Sequence, residues 1–252
     1  MTKATEISKC LVNISDVKNL EDRETNYLNN EGEFWIQLGT AVTPTDYYTE
    51  IFLQQMFTGE RSRCYIQTKS GVQIEFTVKM LKIEFINYLY KLTVAEVYQL
   101  ALQYKQNGVT MFKKYPKFAQ EYFCRAAKCL ISYQPFDVLT ESSEHVNPRD
   151  LQSLFANLQT NIAACLVKEG RYEDVLHVTE FVEQNNEQVS DKAIYRRALA
   201  LCNLNKYEEA KELIEKSNYA ENKEFCGLYD RIKNEWRRSD ERYTNMVKKM
   251  FG

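Results

Sequence analysis

The side chains best suited to metal binding or nucleophilic chemistry in this chain are two histidines and seven cysteines. His145 lies in a stretch that predicts a loop, and His177 lies in a helical pattern. Neither has Cys, Asp or Glu at the spacing of a metal site. The cysteines form no C-x-x-C pair, and several lie in helical apolar patterns, which predicts buried, reduced thiols. These residues therefore predict packing or surface roles, with no metal and no cofactor.

The motifs of common enzyme and nucleotide sites are missing as well. The sequence contains no G-x-G-x-x-G, no P-loop and no G-x-S-x-G. Its carboxylates are spread along predicted helix faces, and no catalytic pair stands out. The net charge of -2 gives no field that would capture nucleic acid or a membrane. Without a membrane-length apolar run or a signal peptide, we expect a non-enzymatic protein of the cytoplasm, with a nuclear location also allowed.

Basic residues are concentrated near the C-terminus. Residues 231–250 carry seven basic side chains against three acidic ones. Residues 220–251 predict one long amphipathic helix, whose apolar stripe includes Ile232, Trp236 and Tyr243. Such a helix commonly caps a stack of helical repeats. A basic amphipathic helix is also typical of calmodulin targets, and this alternative stays open.

An internal repeat of 34 to 35 residues runs from Gln106 to Glu215. Small residues recur at the repeat distance, as Ala163 and Ala198 do, and Gly108 is the small residue of an earlier, degenerate copy. Small side chains are expected where two helices cross closely. A helical hairpin of this length cannot bury its apolar face alone, so we predict stacked hairpins that share one core and form a peptide-binding groove. The predicted hairpins cover residues 94–134, 149–186 and 189–217.

Residues 1–90 predict an antiparallel sheet with one helix. From Val72 to Met80 apolar and polar residues alternate, as in a strand with one solvated face. The alternation then slips by one residue, which predicts a β-bulge or a strand break near Met80 and Leu81. Residues 45–57 have apolar residues at helical spacing. The expected fold class is therefore α+β, with a small sheet domain at residues 1–90 and an all-α domain of three hairpins and a capping helix at residues 91–252.

The first domain resembles the FKBP fold. The resemblance rests on three segments in order, FWIQLG at 34–39, QMFTGERS at 55–62 and IEFTVKML at 74–81. Counted from Met56 and Gly59, the floor of the isomerase pocket falls on Thr49, where the family has Trp. Between Glu60 and Ile74 there is no room for the long loop that supplies a substrate-binding Tyr. Since a pocket must lower a rotation barrier of roughly 18 to 20 kcal/mol, the resemblance implies a scaffold without isomerase activity; an active isomerase with an unusual pocket is the alternative.

The second domain is similar to tetratricopeptide repeats (TPR), and the whole layout resembles the co-chaperone immunophilins. In that family a carboxylate clamp binds the acidic C-terminal tail of heat shock protein 90 or 70. The family's clamp residues match four positions here, Lys105, Asn161, Lys192 and Arg196. A further position that carries Asn or Thr in the family is Val109. Charge-assisted hydrogen bonds of about 1.5 to 3 kcal/mol each would give affinities on the order of micromolar.

Within this family, the degenerate sheet domain and the overall length look most like a non-catalytic member that works with a protein kinase. The resemblance implies binding to the circadian kinase Doubletime, of the casein kinase I class, and promotion of its phosphorylation of the Period protein. No residue pattern in the sequence indicates a kinase by itself. By resemblance, we therefore expect an adaptor or co-chaperone that binds a kinase and partner peptides.

Overall fold

The computed structural model describes residues 3–138, 146–183, 189–217 and 222–251. The chain divides into two compact units between Leu151 and Gln152. The strands are β1 Lys9–Lys18, β2 Gly32–Gln37, β3 Arg61–Gln67 and β4 Gln73–Glu84. The helices are α1 Pro44–Gln55, α2 Val94–Phe112, α3 Pro116–Ile131, α4 Pro148–Glu169, α5 Tyr172–Val178, α6 Asp191–Asn203, α7 Tyr207–Glu215 and α8 Lys223–Phe251. The expected α+β fold, a sheet with one helix followed by helical hairpins, is confirmed; the predicted domain boundary at residue 90 stays a prediction.

The sheet is antiparallel throughout, in the order β2-β1-β4-β3. Its inner face supplies the core of the first unit, to which β4 contributes Ile74, Phe76, Val78 and Met80. Of the β-bulge and the strand break that the sequence allows near Met80 and Leu81, the structure contains the bulge, because Val12 pairs with Met80 whereas Leu11 pairs with Lys82. Leu81 is therefore the extra residue.

Helix α1 packs on this inner face. Thr43 caps its first turn by accepting from the backbone N–H of Asp46 at 3.1 Å, and Pro44 occupies the first helical position, where a missing N–H costs nothing. The ring of Phe52 contacts that of Phe76 on β4 at a centroid distance of 6.0 Å. The predicted helix at residues 45–57 is thus present, although it ends at Gln55.

Helices α2 and α3 form the first hairpin. A capping box of Thr93 and Glu96 begins α2, and Pro116 begins α3. At the crossing, a Cβ atom on Gly108 would lie only 2.5 Å from Cε1 of Phe123. The expectation that Gly108 marks a close helix crossing is confirmed.

Two further helix pairs, α4 with α5 and α6 with α7, precede α8; the first turn of α4 belongs to the first unit and the rest of these helices to the second. Asn147 accepts from the backbone N–H of Arg149 at 2.9 Å where α4 begins, as the Asn-Pro sequence predicts. Ser190 caps α6 in the same way. Small residues such as Ala198 and Ala210 are fully buried in the core that α6, α7 and α8 share. The first half of α8 therefore packs as a capping helix.

The second predicted hairpin, at residues 149–186, differs from a regular one. Its second helix, α5, ends at Val178 and is followed by a 3-10 turn at Glu180–Val182. Buried Arg197 donates to the carbonyl of Leu176 at 2.6 Å and to the hydroxyl of Thr179 at 3.2 Å. Because the carbonyl of Leu176 lies in the last turn of α5, a side chain from α6 satisfies a backbone group that a longer helix would have bonded internally.

Several thiols lie in the cores, as the sequence predicts. Burial raises the pKa of Cys10 to about 12 and those of Cys64 and Cys129 to about 11. Within the described ranges, no helix combines the length and apolar character that crossing a membrane requires.

Candidate functional site

The position of the isomerase floor is occupied by a small, buried side chain. Thr49 is only 1% exposed, and its hydroxyl donates to the carbonyl of Thr45 at 2.9 Å within α1. A threonine satisfied by its own helix offers neither the aromatic area of Trp nor a free polar group. The structure therefore gives this position a packing role.

A tight turn joins β3 to β4, where the family's long loop would lie. The backbone N–H of Thr68 donates to the carbonyl of Val72 at 2.9 Å, and that of Gly71 donates to Thr68 at 3.1 Å. Gly71 has a φ of 85°, which suits glycine. The predicted short connection is confirmed, and no covering segment arises here.

Two buried carboxylates of α1 hold the neighbouring loops. Glu50 accepts from the backbone N–H groups of Gly39, Thr40 and Ala41 at 2.8 to 3.1 Å and from the hydroxyl of Tyr27 at 3.0 Å. Desolvation by burial raises the pKa of Glu50, even though these four donors favour its charged form. All four hydrogen bonds to this carboxylate come from backbone N–H groups and a hydroxyl of the same unit, which indicates a structural role.

Asp46 does the same for the loop before β2. It accepts from the hydroxyl of Thr25 and from the backbone N–H of Asn26, the latter at 2.8 Å. Asp46 and Glu50, both on α1, thus hold the backbone of the neighbouring loops in place.

The outer side of α1 is covered by aromatic residues of the first hairpin. The ring of Tyr47 contacts Phe118 at 5.2 Å and Tyr122 at 6.0 Å, in edge-to-face geometry. Arg125 donates to the hydroxyl of Tyr47 at 3.1 Å, and its guanidinium lies 5.0 Å from that ring. Helix α3 thus packs directly on the helix that carries the degenerate floor.

The loop after β2 also meets the first hairpin. Asn107 donates to the carbonyl of Gly39 at 2.8 Å, and a Cβ atom on Gly39 would lie 3.0 Å from Cε1 of Tyr104. Sequence reasoning missed this contact, because it placed the first hairpin in the repeat domain alone. The sequence signal for this close approach is Gly39 itself, the glycine of the Leu-Gly motif. In the structure it has a φ of 83°, which suits glycine.

The four residues matched to the carboxylate clamp do not all lie in one unit. Lys105 is half-buried on α2 of the first unit, whereas Asn161, Lys192 and Arg196 belong to the second. Lys192 is exposed in the first turn of α6, and Arg196 follows one turn later on the same helix face. The prediction that all four point into one groove stays a prediction.

Arg196 already has a partner within its unit. Its Nη1 donates to the carbonyl of Thr160 at 2.6 Å, next to Asn161 in sequence. Burial lowers the pKa of Arg196. The contact brings the side chain of Arg196 beside the backbone of α4 near Asn161, so two of the predicted clamp positions are neighbours.

The last turns of α8 leave their apolar stripe open to solvent. Tyr243, Met246 and Met250 are 69%, 58% and 70% exposed, whereas Phe225 and Ile232 on the same stripe are buried. Lys248 and Lys249 flank this end. The sequence pattern is thus that of a capping helix in its first half and of an exposed basic amphipathic helix in its second.

The histidines show no sign of metal binding where they are described. The imidazole of His177 is largely exposed, with Nδ1 3.1 Å from a carboxylate oxygen of Glu180. His145 lies outside the described residues. Across the described part of the chain, no three His, Cys, Asp or Glu side chains come together as a metal site would require.

Comparison with known proteins shows which family the chain belongs to. A family model described as BDBT FKBP like N-terminal matches residues 1–85, and a Bride of doubletime-like TPR model matches residues 93–177. Protein Bride of doubletime of Drosophila melanogaster is 42% identical over 259 residues, covering 100% of this chain and 90% of that protein. A crystal structure of residues 1-211 of CG17282 matches with a TM-score of 0.63 and 42% identity, covering 69% of this chain and 86% of that one. The chain therefore belongs to the Bride of doubletime-like family, in which an FKBP-like domain precedes tetratricopeptide repeats.

Proposed function

We propose that this chain is a non-enzymatic adaptor that binds a protein kinase of the casein kinase I type. The observation that carries the proposal is 42% identity to Protein Bride of doubletime over the whole chain. The name of that relative refers to Doubletime, and we extend the partnership to this chain, with promotion of Period phosphorylation as its outcome. The adaptor acts in the cytoplasm and the nucleus.

Binding to the kinase is tested with purified full-length chain and purified Doubletime-type kinase. We expect a stoichiometric complex by calorimetry, and faster incorporation of phosphate into Period when the chain is added at saturating concentration. An unrelated repeat protein at the same concentration is the control. Absence of a complex at tens of micromolar would contradict the proposal.

The proposed loss of isomerase activity is supported by the chemistry of the first unit. Thr49 replaces the aromatic floor, the turn at 68–72 replaces a covering loop, and α3 packs on α1 through Tyr47. In a chymotrypsin-coupled assay with a prolyl peptide, we expect the full chain to leave the uncatalysed rate unchanged. Turnover that scales with protein concentration would establish the alternative, an active isomerase with a different pocket.

We propose in addition that the repeats bind an acidic peptide tail, such as that of heat shock protein 90 or 70. Exposed Lys192 can approach a terminal carboxylate freely, and Arg196 retains N–H groups beyond the one bonded to Thr160. By calorimetry, we expect Lys192→Ala to weaken binding of the acidic C-terminal peptide at least about tenfold with unchanged helicity. Lys216→Ala, which removes an exposed lysine at the end of α7, is the matched control. Equal effects of the two variants would show a general charge effect instead of a clamp.

Calmodulin binding through α8 is a second candidate, favoured by the exposed apolar residues of its last turns. Residues 223–251 combine Tyr243, Met246 and Met250 with basic side chains, as calmodulin targets do. We expect calcium-dependent capture of the full chain on immobilised calmodulin, and loss of capture in Met246→Glu. Capture that persists in a calcium chelator would reject this candidate.

A further inference from the structure

The outer face of the sheet carries an exposed tryptophan. Trp35 on β2 is 38% exposed, whereas its neighbours Phe34 and Ile36 pack toward the core. Tryptophan is the side chain most enriched at binding hot spots, because its large rigid surface gains more from burial than any other. A tryptophan displayed on the solvated face of a sheet is therefore a candidate contact residue.

Two lysines lie over this ring. The Nζ atoms of Lys9 and Lys82 are 5.1 and 5.6 Å from the ring centroid of Trp35. Leu11 on β1 lies between Trp35 and Lys82, since it pairs with Trp35 on one side and with Lys82 on the other. The centre of this face is thus apolar, and its border is cationic.

The β-bulge in β4 is what directs Lys82 outward. Ile74, Phe76, Val78 and Met80 all face the core, so an unbroken alternation would turn residue 82 inward too. The extra residue Leu81 reverses the pattern, and Lys82 is exposed while Ile83 packs against the core. Bulges often re-aim a side chain next to a functional site.

A cleft of about 260 Å³ adjoins the bulge on the same face. Arg61 and Lys79 line it and are direct partners across β3 and β4. Like charges directly opposite each other in a sheet are destabilising, so the pair is better accommodated when an anion lies between them. Glu33 also lines the cleft, and Asp16 lies 3.9 Å from Arg61.

Two lysines of this face have no carboxylate partner among the described residues. Neither Lys9 nor Lys79 forms an ion pair within the described part of the chain, and Arg61 has only its distant contact with Asp16. By contrast, Glu75 is bonded to Arg63 and Glu84 to Lys82. The unpaired charges are therefore mostly positive and surround an apolar centre.

We propose that this face docks an acidic peptide segment of a partner protein. The Trp35 surface consists of Lys9, Leu11, Trp35, Arg61, Lys79 and Lys82. An apolar side chain of the segment packs on Trp35 and Leu11. The carboxylates of the same segment bind the basic side chains around them. This surface belongs to the first unit and uses no residue of the carboxylate clamp, so it does not depend on the proposed chaperone-tail binding.

The test uses fluorescence of the full chain with Trp236→Phe, which leaves Trp35 as the one tryptophan of the two in the sequence. The probe is a twelve-residue peptide of alternating Glu and Leu, with an amidated C-terminus so that no terminal carboxylate engages the clamp. We expect a saturable blue shift of Trp35 emission as the peptide excludes water from the ring. The same peptide with Gln in place of Glu should bind at least about tenfold more weakly.

Substitutions locate the binding site. The double variant Lys9→Gln and Lys79→Gln removes the two lysines of this face that have no ion pair among the described residues; it should weaken binding of the Glu-Leu peptide about tenfold, which corresponds to about 1.4 kcal/mol. Lys69→Gln, in the turn between β3 and β4, is the control and should have no effect. Peptide binding followed by anisotropy that leaves Trp35 emission unchanged, or that survives Trp35→Ala, would overturn the proposal by placing the peptide elsewhere.

Discussion

The two units use their polar and aromatic side chains in different ways. In the first unit, Glu50 and Asp46 are buried and accept from backbone N–H groups and hydroxyls of neighbouring loops, and Tyr47 is covered by aromatic rings from α3. In the second unit, small residues such as Ala198 and Ala210 let helices pack closely, but the stripe on α8 continues past Ile232 to the exposed Met250.

The difference teaches where each unit can bind a partner. In the first unit, aromatic rings of α3 cover the outer side of α1, and the surface that we propose for partner binding lies on the outer face of the sheet. In the second unit, by contrast, no further hairpin packs on α8 among the described residues. Its last turns therefore leave apolar side chains exposed, which another protein can cover. Four predictions test this contrast, in order of decreasing effect.

The largest effect should come from removing the first hairpin. We expect residues 1–90 alone to be at least about 3 kcal/mol less stable than residues 1–151. Without α3, Tyr47 and the apolar surface around it become exposed to water, at about 1.5 to 3 kcal/mol for each large side chain. Urea unfolding followed by circular dichroism measures the difference. If the two fragments unfold at the same urea concentration, the hairpin contributes nothing to the sheet domain.

Glu50→Ala should be nearly as damaging. It leaves the N–H groups of Gly39, Thr40 and Ala41 buried without an acceptor, at about 1 to 3 kcal/mol each. We expect a loss of roughly 3 kcal/mol or more in the free energy of unfolding. Glu33→Ala, at an exposed site on β2, should stay within about 0.5 kcal/mol of wild type. A small effect at Glu50 would mean that water readily replaces the carboxylate.

Two tyrosine hydroxyls of the first unit should respond in opposite directions. Tyr27→Phe removes a bond to the Glu50 carboxylate and should cost about 1.5 to 3 kcal/mol. Tyr122→Phe removes a buried hydroxyl that has no hydrogen-bond partner among the described residues. It should be neutral or stabilise by up to about 1 kcal/mol. Thermal unfolding of the pair decides the matter, and a clear loss in Tyr122→Phe would reveal a partner for that hydroxyl.

The smallest effects, again of opposite sign, are expected at two helical glycines. Gly108→Ala forces Cβ against Phe123 and should destabilise by about 1 kcal/mol after the gain in helix propensity is subtracted. Gly227→Ala on α8 meets no atom within 4 Å and should stabilise by about 0.5 to 1 kcal/mol. Denaturant midpoints of both variants give the comparison. Stabilisation by both would show that the first hairpin is loosely packed.

Much of the fold could be predicted because its signals are local. The bulge at Leu81 follows from a one-residue slip in alternation, and the start of α4 follows from Asn147 and Pro148. Gly108 is recognisable as a crossing point from its place in the repeat. The short α5 was not predicted, and the groups at its end are bonded by Arg197, which belongs to the next hairpin.

The candidate sites were predicted less completely. Thr49 and the turn at 68–72 follow from counting along the chain, since both depend on lengths that the sequence displays. Arg196 matches the clamp by type, but its bond to Thr160 could not be foreseen from spacing. The lysines around Trp35 were missed altogether, because Lys9 and Lys82 come from other strands.

By itself, the sequence determined the periods, caps, turns and crossing points of this protein. Each of these depends on side chains within a few residues of one another, whose geometry the backbone fixes. Only the tertiary structure decided that α3 covers α1 and that two lysines surround Trp35. Those arrangements join residues dozens of positions apart. Their stability comes from packing and charge between distant segments, and the local pattern of the sequence does not contain that information.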